Sequence, residues 1–116
     1  MMPAPGHIAM VNLPFTDLTG AKRRPVVVLA PAPTGSDDWL VCMISTKTKH
    51  LDPNIDELIS VTDPDYPSSG LVAESLVRVG RMAIVEKSLL LGAIGIIGSS
   101  RLTCIKTKLK GWINTI

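Results

Sequence analysis

The run Pro25-Val26-Val27-Val28-Leu29-Ala30 constrains this chain more than any other stretch. Three consecutive β-branched residues lose side-chain freedom in a helix and suit a pleated surface. A run with no polar alternate is expected of a central strand buried on both faces. Pro31, Pro33, Gly35 and the pair Asp37-Asp38 end it. Such a strand needs neighbours on both sides and a layer over each face, so the flanking segments must supply a sheet and its cover.

Ile8 to Leu13 alternates large apolar with smaller or polar residues, as a strand with one wet face does, and Pro14 to Lys22 follows as a polar loop. Trp39 to Ile44 reads as a third strand running into the polar stretch Ser45-Thr46-Lys47-Thr48-Lys49-His50. A fourth strand is expected over Ile55 to Val61. A fifth is expected over Gly70 to Arg81, with Leu71, Ala73, Ser75, Val77 and Val79 on one face and Glu74 and Arg78 on the other. The apolar run Leu89 to Gly98 is broken by three glycines and is half the roughly 20 residues a membrane span needs, so it is assigned to the core. Beyond Gly98, Leu102, Ile105, Leu109, Trp112 or Ile113, and Ile116 recur every three or four residues behind a Ser99 or Ser100 N-cap, which predicts an amphipathic closing helix. The whole reads as one mainly β domain over residues 1–116: a small, strongly bent antiparallel barrel with a C-terminal helix.

Charge narrows the function classes. The net charge of +2 does not by itself imply nucleic-acid binding, but its distribution is uneven. Seven of the ten acids lie between Asp37 and Asp65, whereas Lys22, Arg23 and Arg24 form a basic run and Arg101, Lys106, Lys108 and Lys110 make the C-terminal stretch basic. Cys42 and Cys104 match no metal or redox spacing and lie among apolar residues, which predicts buried free thiols in a reducing cytoplasm. The N-terminus lacks the pattern of a signal peptide. No His, Cys, Asp or Glu cluster shows ligand spacing, so no metal and no cofactor are expected; Asp52, Asp56 and Glu57 read as a solvated acidic face. His7 and His50 are expected to be solvated rather than an acid and base pair.

Lys22-Arg23-Arg24-Pro25 carries the chemistry. It is either a solvated turn before the buried strand or an anion site, since an Arg beside a φ-locked Pro has a fixed backbone from which to aim its guanidinium. Guanidinium stays charged and offers planar donors to phosphate oxygens, so it can stabilise a pentacoordinate transition state. Ser45-Thr46-Lys47, at the exit of the third strand, is either a polar strand end or the partner of that Arg. If the second and third strands pair as a hairpin, Arg24 lies near Ser45 and Thr46.

With these segments in order, the chain resembles the PemK/MazF family of type II toxin–antitoxin systems. The likeness is carried by Gly6-His7-Ile8-Ala9-Met10-Val11-Asn12-Leu13-Pro14-Phe15-Thr16-Asp17, Lys22-Arg23-Arg24-Pro25-Val26-Val27-Val28-Leu29, Cys42-Met43-Ile44-Ser45-Thr46-Lys47 and Gly70-Leu71. The resemblance implies an SH3-like barrel with helical additions, a homodimer with single-stranded RNA along the dimer face, and a cognate antitoxin whose disordered tail covers that face. It implies a metal-independent endoribonuclease in which Arg24 is catalytic and Ser45, with Thr46 beside it, stands at the family's catalytic Thr. Thr16, Asp17, Lys22, Arg23, Lys47, Lys49 and Arg78 are then the expected RNA-contacting set. The chain departs from the family pattern in having Ser45 for Thr, in having His7 where Asp is usual, and in lacking an acidic residue at Thr19, Gly20 or Ala21. The alternatives are a CcdB-like toxin that acts by binding a topoisomerase and a non-catalytic RNA- or protein-binding barrel.

Overall fold

The computed structural model describes residues 2–14, 21–34 and 37–116. Its elements are β1 (His7–Pro14), β2 (Ala21–Pro31), β3 (Asp38–Ser45), β4 (Asp56–Ile59), α1 (Tyr66–Ser69), β5 (Ser75–Glu86), β6 (Leu90–Ile96) and α2 (Ser99–Asn114). All neighbours are antiparallel, in the order β4-β5-β3-β2-β1-β6. The valine run sits in the middle, between β1 and β3, as a strand buried on both faces should.

Alternation along β2 divides the core in two. Val27 and Leu29 join Ile8, Cys42, Ile44 and Val77 in one cluster, which Ile105 of α2 completes from above. Val26 and Val28 join Ala9, Val11, Val41, Val85 and Leu90 in a second cluster on the opposite face. A bend in β5 contributes to both. Cys42 pairs with Met82 but the next residue, Met43, pairs with Arg78, so Val79, Gly80 and Arg81 bulge from the ladder. A bulge of this kind bends and twists its strand, and it lets β5 give Val77 and Val79 to the first cluster and Val85 to the second.

Several expectations are corrected. The fifth strand begins at Ser75 and runs to Glu86, because Gly70 (φ +72°) caps the short α1 and residues 71–74 form an irregular connection. The fourth strand stops at Ile59, where Asp63 N donates to Ser60 O and Ser60 N donates to Asp63 Oδ2 to close a turn. The Leu89–Gly98 run is not all core. Leu90 and Ile97 are buried, but β6 is an edge strand and leaves Leu91 50%, Ile94 41% and Ile96 46% exposed. Part of that edge is covered by α1: Ser68 Oγ donates to Ile96 O at 3.0 Å, and Gly70 and Gly95 mark where α1 and β6 approach too closely for a Cβ.

The closing helix spans Ser99–Asn114 and buries Ile105, but neither Ser99 nor Ser100 caps it. Gly98 holds the N-cap position, and its amide donates to Asp65 Oδ2 at 3.0 Å, so the connection after β4 holds the helix N-terminus in place. Arg101 locks this junction. Its Nε donates to Asp65 Oδ2 (2.7 Å), Nη2 to Asp63 Oδ2 (2.7 Å) and Nη1 to Leu58 O (2.6 Å). Hydrogen bonds hold both carboxyls below the ordinary range, Asp65 chiefly through Arg101 and Asp63 chiefly through the Ser60 amide and then Arg101. Lys108 reaches Asp56 O (2.5 Å) and Glu57 Oε1 (3.4 Å). Two of the four cations of the basic C-terminal stretch are thereby used inside the fold.

Candidate active site

Register and alternation set which candidate residues share a face. Val26 of β2 pairs with Met43 of β3 and Val27 with Cys42; the paired stretch ends there, and the same register continued two residues would align Arg24 with Ser45. On the other flank Arg24 pairs with Val11 of β1, and Ser45 pairs with Leu76 of β5. Cross-strand partners share a face, and Val11 and Val26 belong to the cluster away from α2. Arg24 and Ser45 are thus on the face opposite the helix. The neighbouring row on that face runs Ala9, Val26, Met43, Arg78, Asp56.

Arg24 is exposed. Arg23 is exposed too, but alternation turns it to the other face. Ser45 is half-buried and its Oγ accepts the Lys47 amide at 3.1 Å. That bond fixes the oxygen while leaving the hydroxyl hydrogen to be donated, as to a phosphate oxygen. Thr46 has left the strand and is exposed. Lys47 and Lys49, both exposed, flank and enter the 3-10 turn Thr48–His50 that continues from β3. Thr16 and Asp17 lie outside the described residues, as does the Lys22 side chain.

Arg78 is held by a buried acid. Its Nε donates to Asp56 Oδ1 at 3.2 Å, and Asp56 is only 2% exposed. Asp56 is therefore no part of a solvated acidic face: β4 seats it against β5, with its Oδ2 accepting the Asp52 amide at 3.0 Å. Glu57, on the alternate face, turns towards Lys108.

The remaining candidates fall elsewhere. His7 is half-buried rather than solvated, and its Nδ1 is enclosed without a hydrogen-bond partner among the described residues, whereas His50 is exposed. Burial pushes the Cys42 thiol up to about 12, so it stays protonated. Cys104, expected to be buried, is exposed on α2. Among the described residues there is no group of three or more His, Cys, Asp or Glu placed to hold a metal ion, and no helix long and apolar enough to cross a membrane.

The fold is mainly β, with α2 packed on one face and Arg24 and Ser45 on the other. Residues 4–113 match the family model described as PemK-like, MazF-like toxin of type II toxin–antitoxin system, and the chain belongs to that family. Its fold is similar to that of the Mycobacterium tuberculosis toxin MazF-mt6 (TM-score 0.69, 18% identity, covering 93% of this chain and 96% of that one). It is also similar to an endoribonuclease in complex with its cognate antitoxin from a mycobacterial species (0.73, 14% identity, 97% and 95% covered). A third similar structure is the MazE–MazF complex, form II, from Deinococcus radiodurans (0.75, 15% identity, 100% and 99% covered). No curated protein matches the sequence.

Proposed function

We propose that this chain is a metal-independent endoribonuclease, the toxin of a cytoplasmic toxin–antitoxin pair, acting on single-stranded RNA as a homodimer and restrained by a cognate antitoxin. The observation that supports the reading is the β2–β3 register, Val26 with Met43 and Val27 with Cys42, which continued by two residues aligns Arg24 with Ser45 on the helix-free face. Family membership and the endoribonuclease among the similar folds support it.

In the reaction the 2′-oxygen of one ribose attacks the adjacent phosphorus, the bond from phosphorus to the 5′-oxygen breaks, and the products are a 2′,3′-cyclic phosphate and a 5′-hydroxyl. The 2′-hydroxyl proton is lost to a base and the departing 5′-oxygen gains one. The trigonal-bipyramidal phosphorus carries more negative charge than the ground state, and the Arg24 guanidinium is the group to stabilise it. Ser45 donates its hydroxyl hydrogen to a phosphate oxygen and so orients the reacting phosphate. Lys47 and Lys49 hold the chain beyond Ser45 as point charges, and Arg23, on the other face of β2, adds only longer-range attraction. DNA is spared because it lacks the nucleophile.

The test is incubation of purified protein with single-stranded RNA and the matching DNA in EDTA. Cleavage of RNA alone, with cyclic or 3′-phosphate ends, is expected. Activity that EDTA abolishes and magnesium restores overturns the mechanism.

A further inference from the structure

We propose that Asp56 is a positioning residue that turns Arg78 into a phosphate clamp beside Ser45; this rests on the ribonuclease reading above. Arg78 pairs across the sheet with Met43 on one side and Asp56 on the other, one row from Arg24 and Ser45 and on the same face. Its side chain is 27% exposed, while that of its partner is 2% exposed. Asp56 is immobilised at both oxygens, by Arg78 Nε on Oδ1 and by the Asp52 amide on Oδ2.

The contact uses Nε, and Nη1 and Nη2 of Arg78 have no hydrogen-bond partner among the described residues. A guanidinium held at Nε is restrained, and the fork formed by its two terminal nitrogens has the spacing of two phosphate oxygens. Arg101 provides the contrast within the same chain. All three of its nitrogens are engaged, by Asp63, Asp65 and Leu58 O, as befits a purely structural arginine. Neutralising a buried carboxylate requires one cation, and a lysine would serve. What arginine adds at position 78 is the second donor edge, facing away from the carboxylate. An RNA strand whose scissile phosphate lies between Arg24 and Ser45 would place an adjoining phosphate within reach of that fork.

Two substitutions separate the clamp from a structural pair. Arg78→Lys keeps a cation for Asp56 but removes the fork, and Asp56→Asn keeps the side-chain shape but loosens the grip on Arg78. Affinity is read with a fluorescent single-stranded 2′-O-methyl RNA, which binds but cannot be cut, and kcat and KM are read with ordinary RNA. Arg78→Lys is expected to weaken binding about tenfold, with the loss in KM more than in kcat and thermal melting nearly unchanged. Asp56→Asn is expected to weaken binding about threefold alone and not at all on top of Arg78→Lys, because it acts through Arg78. Wild-type affinity in Arg78→Lys overturns the clamp. An Asp56→Asn loss that is the same in both backgrounds and tracks the melting temperature overturns the positioning role. Wild-type protein that neither binds nor cuts RNA overturns the ribonuclease reading and the clamp with it, and that failure shows before any substitution is made.

Discussion

Arg23 and Arg24 are adjacent, exposed and equally charged, yet strand alternation sends them to opposite faces of β2, and only Arg24 shares a face with Ser45. Arg24→Ala is expected to lower RNA cleavage on the order of 100- to 1,000-fold, the usual cost of losing a preorganised donor to a transition state. Arg23→Ala is expected to do less, acting on binding and its salt dependence. Ser45→Ala, measured beside Thr46→Ala, should show the larger loss, because the Lys47 amide holds the Ser45 oxygen whereas Thr46 lies beyond the strand. Single-turnover cleavage with parallel melting curves checks all four. An Arg24→Ala protein that melts normally and cuts normally would leave Arg24 a solvated strand residue with no catalytic role.

At the scale of elements, the junction between the β4–α1 connection and α2 is an ionic lock rather than an apolar contact. Asp65 bridges the Gly98 amide and Arg101, spanning 33 and 36 residues of sequence. Replacing it with Asn is expected to cost about 2 kcal/mol near neutral pH, the scale of hydrogen bonds to charged groups. The pH dependence has a definite sign. The folded pKa of Asp65 is lowered from 3.8, so its stabilisation is complete above that value and is lost as pH falls through the lowered folded pKa. The melting-temperature gap between wild type and Asp65→Asn should therefore be constant from pH 7 to pH 5 and close in stronger acid. A gap that persists unchanged at pH 2 would mean that the lock is not electrostatic.

For the whole molecule, what the fold leaves uncovered matters as much as what it buries. The edge strand β6 presents Leu91, Ile94 and Ile96, and the end of α2 presents Trp112, Ile113 and Ile116. Apolar surface on an edge strand and a helix end is a liability for a monomer and an asset for an interface. Sedimentation at micromolar concentration is expected to give twice the 12.4 kDa chain mass. A species of single chain mass would argue against an RNA groove shared by two subunits.

Local pattern was enough for the central strand, its two neighbours and the closing helix, because each is encoded by the spacing of its own apolar residues: the Val26 run, Trp39–Ile44, Ile8–Leu13 and the recurrence from Leu102 to Ile116. The order of motifs around Arg24 and Ser45 was enough for the family. The tertiary structure alone decided the rest. Whether Asp56 is a solvated acid or a seated partner of Arg78 depends on the register of β4 against β5, and 22 residues of sequence separate the two charges. Which strand ends as an edge, and so whether Ile94 and Ile96 join the core, depends on sheet order rather than on the strand's own composition. Likewise Arg101 and Lys108 read as surface cations until α2 is laid across β4 and the turn that follows it. Periodicity records which face of an element is apolar. It does not record what is packed against that face, and burial and ion pairing are properties of the neighbour as much as of the residue.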